Sequence, residues 1–510
     1  MLHFESRKGS AQGNRALTFL SAALIALIIF ACKQQASAEE EVDLAALKME
    51  QLYKEHAQEA QQELRQFLAN DKDTAYADRM GRGYYRLGTA QWLWMDSPTK
   101  LSMCDALDSV IRTQVSSIGF SEKTFFLSEI EQALAVMHQP DSAENVGQSM
   151  GLLEGNLTKA YLRYTIGQRF GFTTPKKLFG KDHYDIEIEQ ADSAFVKHAL
   201  EQLTDTQTML NFLAEVEPSD KAYQQLKLQL AQDSTEEERL RTICNMERLR
   251  WRDSKHPEQA ERHILVNVAA QQVWALGPDS VINMRICCGK ASTKSPLLSS
   301  AIERIQINPE WGIPQSIIRG EVSGHAGDSA YFARRNYYIT NGQGQRVDPR
   351  SLTRAELSSG RYAVRQRSGA GNSLGRIIFR FPNRFSVYLH DTSSPSAFNR
   401  DVRTVSHGCI RLQRPFDIAT FVLPNADPWL LDQMRLSMDL QPQTDQGKEY
   451  KRTHRGAIRL INATEVEPKI PVVINYFTKY PNPKTGTIDT WGDPYSYDKI
   501  LQKAIKPFLP

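Results

Sequence analysis

The 510 residues exceed what one compact core usually holds, so two or more domains are expected. Hydrophobic residues at 41% and charged residues at 24% are those of a folded protein. A net charge of only +3, with no basic run interleaved with aromatics, argues against nucleic acid as a partner.

The chain opens with a targeting pattern. Arg7, Lys8 and Arg15 precede an apolar run from Ala16 to Ala31 that is short for a membrane span. The run ends Ile28-Ile29-Phe30-Ala31-Cys32, and a small residue just before a cysteine there resembles a bacterial lipoprotein cleavage site, which makes Cys32 the lipidation candidate. An uncleaved anchor helix is the alternative, because Phe30 is bulky for that motif. Both readings give an exported, membrane-anchored body facing the periplasm or cell wall. Lys33 after the cysteine, in place of a retention aspartate, leans towards the outer membrane. Residues 33–41 read as a polar tether.

From residue 42 to 254 the apolar spacing is helical, as in Ala57, Ala60, Leu64 and Leu68, or Val196, Ala199, Leu200 and Leu203. Tyr84, Tyr85, Trp92, Trp94, Tyr161 and Tyr164 fall on these helices and are read as core rather than as a sugar-stacking surface. At Lys255-His256-Pro257 the period changes to alternation, which places a domain boundary there. His263–Val268, Gln272–Leu276 and Val281–Cys288 read as strands, the last two joined by the turn Gly277-Pro278-Asp279-Ser280. Cys287 and Cys288 then point to opposite faces. Cys104 and Cys244 sit on apolar helical stripes and read as buried thiols, with a bridge between them left open. No cysteine shows metal-ligand spacing, and neither a metal nor a cofactor is expected.

Residues 316–368, rich in Gly, Ser, Arg and Tyr, are too long for an ordinary connection and are read as a lid, with Arg334, Arg335, Tyr337, Tyr338 and Arg361 offering contacts to an acidic peptide. A solvated insertion is the alternative. Beyond it, Phe385, Val387 and Leu389 alternate with polar residues, so His390 ends a predicted strand. Ser406-His407-Gly408-Cys409 then lies on a tight connection shortly before a helix that opens at Pro415. A cysteine becomes a nucleophile as its thiolate and needs a base or a positive charge nearby; His390 and His407 both lie in this segment. Cys409 and His390 are the catalytic candidates. The N–H groups of Gly408 and Cys409 are candidates for an oxyanion site, with Ser406 and His407 shaping the turn.

The stretches Gly371-Asn372-Ser373-Leu374-Gly375-Arg376, Phe381-Pro382-Asn383, Tyr388-Leu389-His390-Asp391-Thr392 and Ser406-His407-Gly408-Cys409-Ile410-Arg411-Leu412 resemble the catalytic domain of the large bacterial L,D-transpeptidases. The resemblance implies an α+β chain: an N-terminal all-helical scaffold domain (42–254), then a mostly-β catalytic domain with a lid insertion (255–510, core about 261–435). It implies that Cys409 attacks the third residue of a tetrapeptide stem, with His390 as general base. D-alanine is released, and the acyl group passes to an amine to cross-link peptidoglycan. Arg411, Tyr388 and Asn372 are the substrate-binding candidates, Arg411 having a structural ion pair as its alternative. Stem peptides are the expected partner and carbapenems the expected covalent inhibitors. An L,D-carboxypeptidase or other cysteine peptidase acting on wall peptides would use the same dyad; a non-catalytic wall-binding lipoprotein would need that dyad degenerate, and it is intact.

Overall fold

A computed structural model describes residues 39–86, 90–140 and 144–510. The targeting segment, Cys32 and most of the tether therefore lie outside the described residues. No described helix is long and apolar enough to cross a membrane. The chain is α+β, an N-terminal helical domain followed by a mostly-β domain. Packing divides it into two compact units, the first containing residues up to Ser109 with Phe126–Ala160 and Leu203–Met209, the second containing the remainder.

The first unit is helical and is organised around a buried carboxylate. Glu154, on the helix Val146–Phe170, is fully buried. Its oxygens accept the Tyr85 hydroxyl at 2.6 Å and the N–H groups of Leu93, Trp94 and Met95 at 2.7, 2.9 and 2.9 Å. Burial pushes this carboxyl above its ordinary pKa, against the pull of those four donors. Trp94 is wholly buried beside it, as a core aromatic should be.

The second unit is built on a closed sheet. The strands of this unit include β1 (Tyr184–Asp185), β2 (His263–Asn267), β3 (Gln272–Leu276), β4 (Val281–Gly289), β5 (Leu297–Ile307), β6 (Trp311–Gly312), β7 (Tyr337–Thr340), β8 (Arg346–Val347), β9 (Ala363–Gln366), β10 (Ile377–Arg380), β11 (Leu389–His390), β12 (Thr404–Ser406), β13 (Ile410–Leu412) and β14 (Ala463–Asn475). Hydrogen bonding runs β5-β10-β11-β13-β4-β3-β2-β14, and β14 pairs back onto β5, closing a ring of eight strands. The β2-β3-β4 meander agrees with its alternating sequence and with the Gly277–Ser280 turn. Inward-facing Ile264, Val273, Ile286, Ile305, Leu389 and Ile410 are fully buried.

Three expectations change. The core does not end near residue 435, because β14 runs parallel to β2 from Val472 to Asn475 and antiparallel to β5 from Ala463 to Ile474. Nor does Lys255 separate two packed bodies. The helix Glu236–Arg250 belongs to the second unit, where Arg248 Nη1 stands 2.6 Å from Asp498 and the Asn245 side chain accepts the Thr478 N–H at 3.0 Å. The periodicity switch marks a change of secondary structure inside one packed body. Finally, residues 316–368 are not an open loop. With β6 they form a four-stranded sheet, β6-β9-β7-β8, and five short α-helical or 3-10 segments over a core of Ile313, Ile318, Val322, Phe332, Ile339 and Leu357.

β14 buries Val466, Ile470, Val472 and Ile474. At roughly 2 kcal/mol for each aliphatic side chain, that burial is on the scale of the ~5–15 kcal/mol net stability of a whole domain. A chain ending at Met438 should therefore lose cooperative thermal unfolding of the second unit. A truncated chain that still melts cooperatively would contradict closure by β14.

Candidate active site

The site is assembled where β11 and β13 run parallel, with Leu389 opposite Ile410 and His390 opposite Arg411. Ile410 donates its N–H to the Tyr388 carbonyl at 3.0 Å, which extends the ladder towards Cys409. The expected strand from Phe385 to His390 is in fact two residues long, because a side chain folds the chain upstream of it. Asn383 Oδ1 accepts the N–H groups of Phe385 and Val387, each at 3.1 Å, while its amide donates to the carbonyls of Phe381 and Val387. Ser386 is thereby turned into the left-handed region at φ 53°.

That turn faces the sulfur. Cys409 Sγ lies 3.9 Å from the Ser386 carbonyl, and the Tyr388 N–H donates to it. Cys409 sits in the turn between β12 and β13, so a short strand intervenes before the helix Pro415–Val422. Gly408 has φ 123°, a conformation that L side chains rarely adopt, which explains a glycine here. Ser406 Oγ donates to the Cys409 carbonyl at 2.6 Å and accepts the Gly408 N–H at 3.1 Å. Ser406 thus shapes the turn as expected. The Gly408 N–H, however, is already engaged by that hydroxyl, and of the two candidate oxyanion donors the Cys409 N–H is the better placed.

His390 is 3% exposed. Its Nδ1 lies on the Asp391 carbonyl, which assigns the proton of the neutral ring to Nδ1 and leaves Nε2 as the basic nitrogen. Burial, and secondarily the Arg411 charge, depress its pKa to about 4, against the Asp391 and Leu374 carbonyls. Cys409 moves the other way, since burial raises its thiol while the Tyr388 N–H and Arg411 lower it. At neutral pH the resting dyad is therefore an uncharged thiol and an uncharged imidazole. Asp391 fixes the strand end by accepting the Arg376 N–H at 2.8 Å; a side chain at Gly375 would collide with it, its Cβ falling 2.4 Å from the carboxylate.

Ser386, His390, Ser406 and Cys409 line a cavity of about 990 Å³ walled on its far side by the folded insertion. Arg411 and Tyr388 line it, and Arg411 Nε is buried with no hydrogen-bond partner. Asn372 does not: it is 1% exposed, and its amide is spent on the carbonyls of Pro309, Gln366 and Arg367 and on the Leu374 N–H. It organises the loop before β10 and is not placed to bind substrate. Of the insertion's predicted contacts Arg335 and Tyr337 reach the cavity, whereas Tyr338 is tied to Glu310 at 2.8 Å and Arg334 and Arg361 are not among the lining residues. His407 Nε2 meets Glu321 of the insertion at 2.7 Å. Cys104, Cys244, Cys287 and Cys288 are free and buried, so no Cys104–Cys244 bridge forms. Burial pushes all four thiols up, Cys288 to about 12.

Residues 261–431 match the model of the L,D-transpeptidase catalytic domain, which spans the dyad, the cavity and the insertion. The chain carries an L,D-transpeptidase catalytic domain. Residues 82–230 match a scaffold domain that precedes it. The chain is also similar to a Haemophilus influenzae protein named "Putative L,D-transpeptidase", with 28% identity over 244 residues, 47% of this chain and 45% of that protein. It thus matches less than half the length of that relative. Sequence reasoning missed the roles of Asn383 and Glu321. The signal for Asn383 was present, since Pro-Asn before a strand favours a side-chain-capped turn.

With the thiol raised and the imidazole lowered, the alkylation rate of Cys409 by iodoacetamide should climb about tenfold per pH unit from pH 6 to beyond 8, as the thiolate fraction does. A rate already flat above pH 6 would reveal a preformed thiolate–imidazolium pair and contradict the neutral dyad.

Proposed function

We propose that this domain forms cell-wall cross-links by acyl transfer through Cys409. The carrying observation is the parallel register that sets the His390 strand end and the Cys409 turn side by side on the floor of one cavity. As a tetrapeptide stem enters, Cys409 Sγ attacks the carbonyl of its third residue, a diamino acid, at the L-centre. His390 Nε2 takes the thiol proton and returns it to the leaving D-alanine amine. The C–N bond breaks and a thioester remains. An acceptor amine then attacks the thioester carbon, the C–S bond breaks, and its surplus proton passes through His390 to the departing sulfur.

The electrostatics support proton transfer concerted with attack. Arg411 favours the thiolate but opposes the imidazolium, so it acts on the two halves of the dyad in opposite senses. The unpaired Arg411 Nε suits a stem carboxylate, which would neutralise that opposition to the imidazolium. The walled cavity supports the transfer branch by limiting the water that reaches the thioester. Lipidation at Cys32, resting on the apolar run and Ala31, and an outer-membrane location, resting on Lys33 in place of a retention aspartate, belong to the same proposal. Fatty-acid labelling should mark the wild type and not Cys32→Ala; an unlabelled wild type would mean an uncleaved anchor.

Cys409→Ala should abolish turnover, and Cys104→Ala should not, because its buried thiol has no such base. His390→Ala should slow acylation by ~10²-fold to ~10⁴-fold, the usual worth of general acid–base help. A carbapenem, offering a strained electrophilic carbonyl, should add one mass equivalent to the wild type. An adduct on Cys409→Ala protein, by intact-mass spectrometry, would refute the assignment.

A further inference from the structure

Resting on the acyl-transfer reading, we propose that the Glu321 carboxylate is the subsite for the acceptor's amine. The charged side chains lining the cavity are unequal in number. Lys290, Arg335, Arg380 and Arg411 are cationic and suit the carboxylates of a stem peptide, whereas the carboxylates are those of Glu310 and Glu321. Glu310 accepts the Tyr338 hydroxyl at 2.8 Å, and the Arg346 guanidinium lies 3.2 Å above that tyrosine ring. Glu321 is held differently. It sits at the break between the helix Gln315–Gly320 and the 3-10 turn Val322–His325, and Ile318 and Val322, each 1% exposed, anchor the backbone on either side in the insertion's core.

Its side chain is 56% exposed and reaches His407 Nε2, two residues before the nucleophile. A carboxylate has about four acceptor positions, and His407 occupies one. Capacity therefore remains on the carboxylate standing nearest the nucleophile's turn. An acceptor stem arrives with its side-chain amine as an ammonium, which four cations repel and Glu321 attracts. At this half-exposed rim the ammonium gives one proton to water. The neutral amine then forms the C–N bond as the C–S bond breaks, and the proton it loses reaches the sulfur through His390. Hydrolysis needs no such subsite, so Glu321 sets the balance between cross-linked and trimmed product.

The test uses the full chain, a tetrapeptide stem whose side-chain amine is acetylated as donor, and a tripeptide stem with a free side-chain amine as acceptor over a range of concentrations. For Glu321→Gln the half-saturating acceptor concentration should rise about tenfold or more, as expected for loss of a charge-assisted hydrogen bond, and tripeptide should replace cross-linked dimer. Release of terminal D-alanine from donor alone should stay within about twofold of wild type, the signature of an acceptor-side defect. Glu321→Asp should restore part of the transfer. An unchanged acceptor dependence would overturn the proposal, and so would donor-alone release falling in step with transfer, which would make Glu321 a prop for the His407 turn. A wild type that never releases D-alanine would instead overturn the acyl-transfer reading beneath it.

Discussion

Two residue pairs of parallel β-sheet hold the candidate dyad together: Leu389 with Ile410 and His390 with Arg411. A ladder that short is weak alone, and here it is held from both sides. β10 pairs with β11 through Ile378 and Phe379, and β4 pairs with β13 through Ile286 and Cys287. Because β10 and β4 belong to a closed ring, their spacing cannot drift without opening the ring. β14, far along the chain, thereby helps to hold His390 beside the Cys409 turn. A one-residue slip would turn His390 to the opposite face of the sheet.

The next constraint is electrostatic. His390 is buried and Cys409 half-buried, and desolvation pushes each towards its neutral form. A thiol held in its neutral form is less open to adventitious oxidation than a thiolate. In the proposed reaction, charge appears when substrate supplies the electrophile. The Tyr388 N–H at the sulfur and the Asp391 carbonyl at Nδ1 are the preorganised partners of that developing pair. The folded insertion adds a wall whose aromatic and cationic groups, Tyr331, Tyr337 and Arg335, face the same cavity.

Much of this was legible in the sequence. The Ser-His-Gly-Cys turn, the strand-end histidine, the β2-β3-β4 meander and the helical first half follow from spacing and residue type. What escaped was long-range or carried by a single side chain. Alternation at Phe385, Val387 and Leu389 promised a strand, but the Asn383 amide captured the backbone of that segment. Asn372 was a substrate-binding candidate through the family resemblance; its amide is consumed by the nearby carbonyls of Gln366 and Arg367 and by the distant carbonyl of Pro309. The insertion's hydrophobic residues are spread from Ile313 to Val364 with no sustained period, so its core could not be read as a fold. The run Ile470–Ile474 does read as a closing strand, but its partner on β5 lies more than 150 positions away and was not legible.

The most direct measurement is capture of the covalent intermediate. The protein is mixed with a tetrapeptide stem, quenched in acid within the first turnover, digested and weighed. The account predicts a tripeptide acyl group, the stem less its terminal D-alanine, on the peptide containing Cys409, labile to neutral hydroxylamine as a thioester is. A product-forming enzyme whose acyl group sits on another residue, or which never carries one, would contradict it.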